Sequence, residues 1–201
     1  MRKFYQWSEV AMLIEETTLP GVLRLTPRRF GDHRGFFAET YNVDTMAAAG
    51  IDTVFVQDNQ SLSEQAGTLR GLHFQAPPHA QAKLVRCGRG ALFDVAVDLR
   101  RGSPTYGHWL GETLSFENGV QLLIPAGFAH GFVTLQQETE IIYKCSDLYA
   151  PEAEGALKWD DPDLAIDWPL DGRAPVISDK DARAPALRDF DSPFVWDGAV
   201  T

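Results

Sequence analysis

Cysteine is nearly missing from this chain. Cys87 and Cys145 are the only two in 201 residues, too few and too far apart for the disulfide framework that staples small secreted domains. Each lies in an apolar alternating run, which reads as a buried free thiol in a protein of the reducing cytoplasm. Basic charge is scarce as well: 18 lysines and arginines face 28 aspartates and glutamates, for a net charge of −10. That balance excludes charge-driven adhesion to nucleic acid polymers or to an anionic membrane. Long hydrophobic runs are absent, and Glu9, Glu15 and Glu16 interrupt what Arg2 and Lys3 begin as an export signal. The Asn59-Gln60-Ser61 sequon is therefore read as idle. Low-complexity tracts and internal repeats are lacking too, and 44% apolar with 23% charged residues is the composition of a folded globular chain.

What is present is a single domain's worth of short, alternating segments. The charge is uneven: from Asp147 onward 13 acidic residues face 5 basic ones, which leaves 15 against 13 in the first 146 residues. A near-neutral body can therefore hold an anionic ligand, and the acidic C-terminal quarter reads as a solvated face. Ala91, Phe93, Val95, Val97 and Leu99 make one apolar face of a strand, with Asp94, Asp98 and Arg100 on the other. Further strands are expected at Lys83 to Cys87, His108 to Ser115, Val120 to Ile124, His130 to Leu135 and Glu140 to Asp147. Glycine turns at Gly88-Arg89-Gly90, Glu117-Asn118-Gly119 and Pro125-Ala126-Gly127 separate several of them. Many short strands at this spacing predict an all-β sandwich or barrel. Helix signals are few: Asp44 as the cap of a short helix ended by Gly50, and Asp179 as the cap of another before Pro185. After Tyr149 the Pro-, Asp- and Trp-rich stretch reads as an irregular covering segment.

Two segments have the glycine, proline and histidine spacing of the cupin motifs, the hallmarks of a small jelly roll. The second runs Gly119, Pro125, Gly127, His130. The first is altered: Gly67 and His73 are in place, but Gln75 stands where a second histidine falls, and Lys83 stands seven residues before Gly90, where metal-binding cupins carry a glutamate. An ammonium in a ligand shell repels a divalent ion, so no metal is expected. Lys83 shares its face with Val85 and Cys87, and Tyr143 shares its face with Ile141 and Cys145. Both point inward if those faces are internal, and each then needs a partner. Taken singly, His73, His130, Lys83 and Tyr143 are ordinary strand residues. Together they are the base, cation and acid needed to move a proton at a carbon beside a ketone.

The segments Asp32-His33-Arg34-Gly35-Phe36-Phe37-Ala38-Glu39, Val56-Gln57-Asp58-Asn59-Gln60-Ser61, Leu69-Arg70-Gly71-Leu72-His73-Phe74-Gln75 and Gln81-Ala82-Lys83-Leu84-Val85 closely resemble the dTDP-4-dehydrorhamnose 3,5-epimerase family. So do Pro125-Ala126-Gly127-Phe128-Ala129-His130-Gly131-Phe132, Tyr143-Lys144 and Ser178-Asp179-Lys180-Asp181. The likeness covers about residues 19–185, leaving an extension at 1–18 and a tail at 186–201. It implies a cupin-type jelly roll that, without a cofactor, epimerises dTDP-4-dehydro-6-deoxy-D-glucose at C3 and C5 on the route to dTDP-L-rhamnose. By the same resemblance His73 is the base, oriented by Asp181, Lys83 stabilises the enolate and also binds substrate, and Tyr143 returns a proton from the opposite face. Arg34, Arg70 and Lys180 would meet the pyrophosphate, and Gln57, Asn59, Glu39, His130 and Glu154 the nucleotide and sugar hydroxyls. The family also implies a homodimer whose sites borrow residues from both chains.

Three rivals stand beside this reading. One is an enzyme of the same family that inverts C3 alone or C5 alone on another nucleotide sugar. The second is a metal-dependent cupin, and the third a sugar-binding jelly roll with no catalysis.

Overall fold

Period-2 alternation is realised as strands, and the glycine turns fall where their backbone freedom is needed. A computed structural model describes residues 11–198. The first ten residues, with Arg2, Lys3 and Glu9, lie outside them. In chain order the strands are β1 (Met12–Glu16), β2 (Leu23–Pro27), β3 (Phe30–Asp32), β4 (Gly35–Phe37), β5 (Gln57–Ser63), β6 (Leu69–Gln75) and β7 (Lys83–Arg89). They continue with β8 (Ala91–Asp98), β9 (Trp109–Ser115), β10 (Gln121–Ile124), β11 (Phe128–Thr134), β12 (Thr139–Cys145) and β13 (Glu154–Ala156). Two short helices join them, α1 (Val43–Ala48) and α2 (Asp179–Ala182). Gly90 shows why the β7–β8 turn is glycine: its φ is +75°, and a Cβ there would sit 2.6 Å from Thr139 Oγ1.

The strands form a jelly roll. A six-stranded sheet runs β1-β2-β10-β7-β12-β5 and a five-stranded sheet β13-β6-β11-β8-β9, with β3 and β4 as a separate hairpin. β1 pairs with β2 from Met12 opposite Pro27 to Glu16 opposite Leu23, so residues 12–16 belong to the large sheet. Between the sheets Val85, Cys87, Leu122 and Ile141 meet Leu92, Ala96, Leu114, Phe128 and Phe132. Both cysteines are buried and free. No helix among the described residues is long and apolar enough to cross a membrane.

Strand β8 corrects the expected division into an apolar and a polar face. Both faces are buried. Val95, Val97 and Leu99 point outward, where Leu157, Leu164, Trp168 and Phe194 of the C-terminal segment cover them. The alternate residues Leu92, Asp94, Ala96 and Asp98 turn toward the barrel, each fully buried. The acidic quarter is thus a layer of the fold as well as a charged surface. Within it Asp161 is buried, and its carboxylate accepts from the backbone N–H groups of Asp163, Leu164 and Leu187.

The helix caps also shift. Asn42, not Asp44, caps α1, accepting from the N–H of Asp44 and Thr45 at 2.9 and 3.2 Å. Asp44 falls in the first turn, where a carboxylate favours the helix dipole. Ser178, not Asp179, caps α2 by accepting from Asp181 N at 3.1 Å.

Trp168 pins the cover. It is buried, donates Nε1–H to Trp159 O at 2.8 Å and meets the Phe93 ring edge-on at 6.3 Å between centroids. Trp168→Ala should cost about 3–5 kcal/mol in chemical denaturation. The activity of the remaining folded molecules should be close to wild type, because this layer lies on the side of the five-stranded sheet away from the barrel interior.

Candidate active site

The barrel interior opens into a cavity of about 490 Å³, lined by His73, Lys83, His130, Tyr143, Arg70, Lys180 and Asp181 together with Ser61, Thr68, Leu69, Phe132, Val176, Ile177 and Ser178. Strand register places the reactive groups. His73 and His130 are direct partners on β6 and β11. Lys83, the first residue of β7, lies between Ile124 and Cys145. Tyr143 lies on β12 between Val85 and Asn59. The histidines therefore come from one sheet, and the lysine and phenol from the other.

Asp181 reaches this place through the C-terminal segment. Val176 exchanges backbone hydrogen bonds with the start of β6, its N–H to Gly67 O and its O from Leu69 N–H, both at 2.9 Å. The Ser178 cap then turns the chain into α2, which carries Asp181 to His73. The Nε2–Oδ1 distance is 2.7 Å, and the other carboxylate oxygen accepts from Gly71 N at 3.3 Å. Gly71 has φ +120°, and a Cβ would lie 2.6 Å from Gly131 Cα, so glycine alone permits this approach of β6 to β11. An ionised carboxylate only accepts, so the proton of a neutral His73 sits on Nε2 and its lone pair is on Nδ1. Burial lowers the His73 pKa below the ordinary 6.5, with Asp181 pulling it back upward and Lys83 pushing it down. The ring is thus a free base at neutral pH.

Burial likewise lowers the pKa of Lys83 from 10.5, opposed by the negative influence of Cys145, Asp94 and Glu154. Tyr143 is shifted upward from 10, chiefly by burial, and so keeps its proton at neutral pH. A base on one wall, a protonated phenol on the other and a cation beside them can remove a proton from carbon, hold the resulting oxyanion and return a proton elsewhere.

Beside the cavity, Glu154 on β13 bridges the lining residue Lys180 at 2.6 Å and accepts from Tyr149 OH at 3.2 Å. Gln57 Oε1 accepts from Tyr149 N at 2.9 Å, and Gln57 Nε2 donates to Asn59 Oδ1 at 3.1 Å. Asn59 Nδ2 in turn points to Cys145 Sγ at 3.6 Å. Gln57, Asn59 and Glu154 are thus linked through Tyr149, beside the cavity and outside its lining.

Five expected binding residues are not in the cavity lining: Gln57, Asn59 and Glu154 adjoin it, and Arg34 and Glu39 stand apart from it. Arg34 lies on the exposed β3–β4 hairpin and pairs with Asp32 at 2.5 Å, and Glu39 follows the same hairpin. Among the described residues its two strands pair only with each other, and Phe36 rests on Phe116 at 5.6 Å between ring centroids, with neither ring in the cavity lining. Asp94, whose Oδ1 lies 2.7 Å from His130 Nε2, and Tyr149, which links Gln57 to Glu154, belong to no motif in the sequence. Alternation marked Asp94 as off the apolar face of its strand, but gave no sign that this face is the inner one.

A profile of the dTDP-4-dehydrorhamnose 3,5-epimerase family matches residues 16–189. A dTDP-4-dehydrorhamnose 3,5-epimerase of Pseudomonas aeruginosa is 55% identical over 174 residues, spanning 86% of this chain and 94% of that protein. Another from Sinorhizobium fredii is 51% identical over 185 residues, spanning 92% and 94%. Among solved structures, a dTDP-6-deoxy-D-glucose-3,5-epimerase from Legionella pneumophila in complex with dTDP-4-keto-L-rhamnose superposes with a TM-score of 0.89. It is 45% identical and spans 93% of this chain and 100% of that one.

Proposed function

The chain belongs to the dTDP-4-dehydrorhamnose 3,5-epimerase family, and from that premise we propose how its cavity inverts C3 and C5 of dTDP-4-dehydro-6-deoxy-D-glucose. The enzyme is an isomerase, and its product is dTDP-4-dehydro-L-rhamnose, the precursor of dTDP-L-rhamnose. The observation that carries the mechanism is His73 on one sheet, held by Asp181 of α2 and facing Tyr143 on the other sheet, with Lys83 in the same cavity.

His73 Nδ1 takes the proton from the carbon beside the 4-ketone. The C–H electron pair becomes the enolate double bond, and the negative charge gathers on the ketone oxygen beside the Lys83 ammonium. Collapse of the enolate draws the phenolic proton of Tyr143 onto the opposite face of the carbon, which inverts it. Solvent then reprotonates the phenolate and accepts the proton from His73, so no cofactor enters. Asp181 holds His73 in the Nε2–H tautomer throughout.

Arg70 and Lys180, cations of an otherwise acidic chain, suit the pyrophosphate. Lys180 exchanges its bridge to Glu154 for that contact, and Gln57, Asn59, His130 and Glu154 hold the nucleotide and sugar hydroxyls. Arg34 and Glu39 serve the site of a second copy in a homodimer. The exposure of Phe30, Phe36 and Phe37 on the hairpin beside them supports this, because such an aromatic cluster marks an interaction surface. The free thiols suit the cytoplasm.

Deuterium exchange tests the reading. In D2O the wild type should place one deuterium at C3 and one at C5 of the substrate. Label at only one carbon would make it a single-centre epimerase, and label at neither would refute the mechanism. Tyr143→Phe should continue to exchange protons through His73 while inversion falls roughly a hundred-fold or more, giving labelled sugar of unchanged configuration by NMR.

A further inference from the structure

A second histidine–carboxylate pair lies behind the cavity wall. Asp94 sits on the inner face of β8 between Leu92 and Ala96, and its side chain is wholly buried. Its Oδ1 lies 2.7 Å from His130 Nε2, but Oδ2 has no hydrogen-bond partner among the described residues. Two positions later, Asp98 shows how this strand treats a buried carboxylate when its purpose is structural. Asp98 Oδ1 accepts from Arg100 N and Nε, and its Oδ2 from Arg100, Ser103 and Thr105. A carboxylate left half-satisfied in the interior is costly, and a packing role at this position is met more cheaply by an apolar residue like its neighbours.

Asp94 faces two groups of the cavity. Its ionised form accepts the Nε2 proton of His130, which leaves Nδ1 as the ring nitrogen open to the cavity. Lys83 lines the same cavity as His130, on the opposite sheet, so the Asp94 carboxylate behind His130 also sets its charge against Lys83. We propose that Asp94 is a positioning residue for the epimerisation: it fixes His130 with Nδ1 toward the substrate and supplies the negative charge set against Lys83. The inference rests on the mechanism above for its kinetic consequences. Asp94 acts through its two neighbours and touches no reacting atom.

Asp94→Asn tests the charge, because Asn Oδ1 still accepts from His130 while the negative charge is gone. The groups that face Lys83 from the other elements are Cys145 on β12, Glu154 on β13 and His73 on β6, and all remain in the variant. In 13C-ε-lysine NMR the Lys83 titration should move to lower pH. The alkaline limb of kcat/KM should move with it, and kcat/KM at neutral pH should fall about ten-fold or more. A Lys83 titration that stays in place overturns the proposal, as does a loss equal at every pH with a lowered Tm. Should Asp94→Asn fail to fold, 15N NMR of wild-type His130 decides the question. Protonation on Nε2 with Nδ1 bare, or on both nitrogens, supports it, and a neutral Nδ1–H tautomer overturns it. These resonances need no turnover. A wild type without deuterium exchange would therefore refute the mechanism while the NMR still judged Asp94.

Discussion

His73→Asn should lower proton exchange at C3 and C5 by roughly a thousand-fold while leaving the fold intact. The side chain is about one-third exposed at 32%, and asparagine retains a polar group toward Asp181, so little packing is lost. What disappears is the imidazole lone pair that the Asp181 carboxylate orients in the cavity. The pH profile makes the assignment specific. The base works only when neutral, and burial sets its pKa below 6.5, so activity should be full above that range and lost as pH falls through the lowered value. Asp181 limits how far the pKa drops, because its charge favours the imidazolium. In His73→Asn the residual rate should show no such acid limb. Exchange at the wild-type rate, measured by deuterium incorporation, would remove His73 as the base.

Lys83→Met is expected to be nearly as severe, lowering kcat by roughly a hundred- to a thousand-fold. Methionine matches the length of the lysine stem and suits the company of Val85 and Cys87, so thermal unfolding should show a folded protein. The charge matters because the enolate oxygen forms in a largely desolvated space, where an adjacent ammonium stabilises it far more than in water. Lys83 must be cationic, and its pKa is lowered from 10.5, so wild-type activity should decline as pH rises through that lowered value. Tyr143, shifted above 10, titrates later. Removing Lys83 should therefore push the alkaline limb of the profile upward as well as lowering its plateau. A variant with a wild-type kcat and an unmoved limb would contradict the assignment.

The two variants also show which parts of the site could be read before the fold was known. Lys83 and Tyr143 were legible through parity, because each alternates with residues that pack between the sheets. His73 was legible only through its motif, since a single strand histidine carries no mark of its partner. Asp181 lies 108 positions away from His73. Only the backbone pairing of Val176 beside β6 and the serine cap of α2 close that gap. The N-caps slipped by one or two residues because asparagine, serine and aspartate all cap well, and neighbouring candidates differ only in where the helical dihedrals begin. Arg34 and Glu39 sit in a clear motif, yet one chain does not deliver them to its own cavity.

Alternation, glycine turns and motif blocks thus determine from the sequence alone that this is a β-sandwich, where most of its strands lie, and which side chains share a face. They do not determine which face is inside. On β8 the apolar row of Val95 and Val97, continued by Leu99 just past its end, turns outward under the C-terminal cover, and the row carrying Asp94 turns into the barrel. That choice belongs to the tertiary structure, because a strand buried on both sides has its orientation set by what packs against it. The same holds for the chemistry. Whether His73 is a free base, Lys83 a cation and Tyr143 a protonated acid depends on burial and on charges brought from other strands, which no stretch of sequence contains.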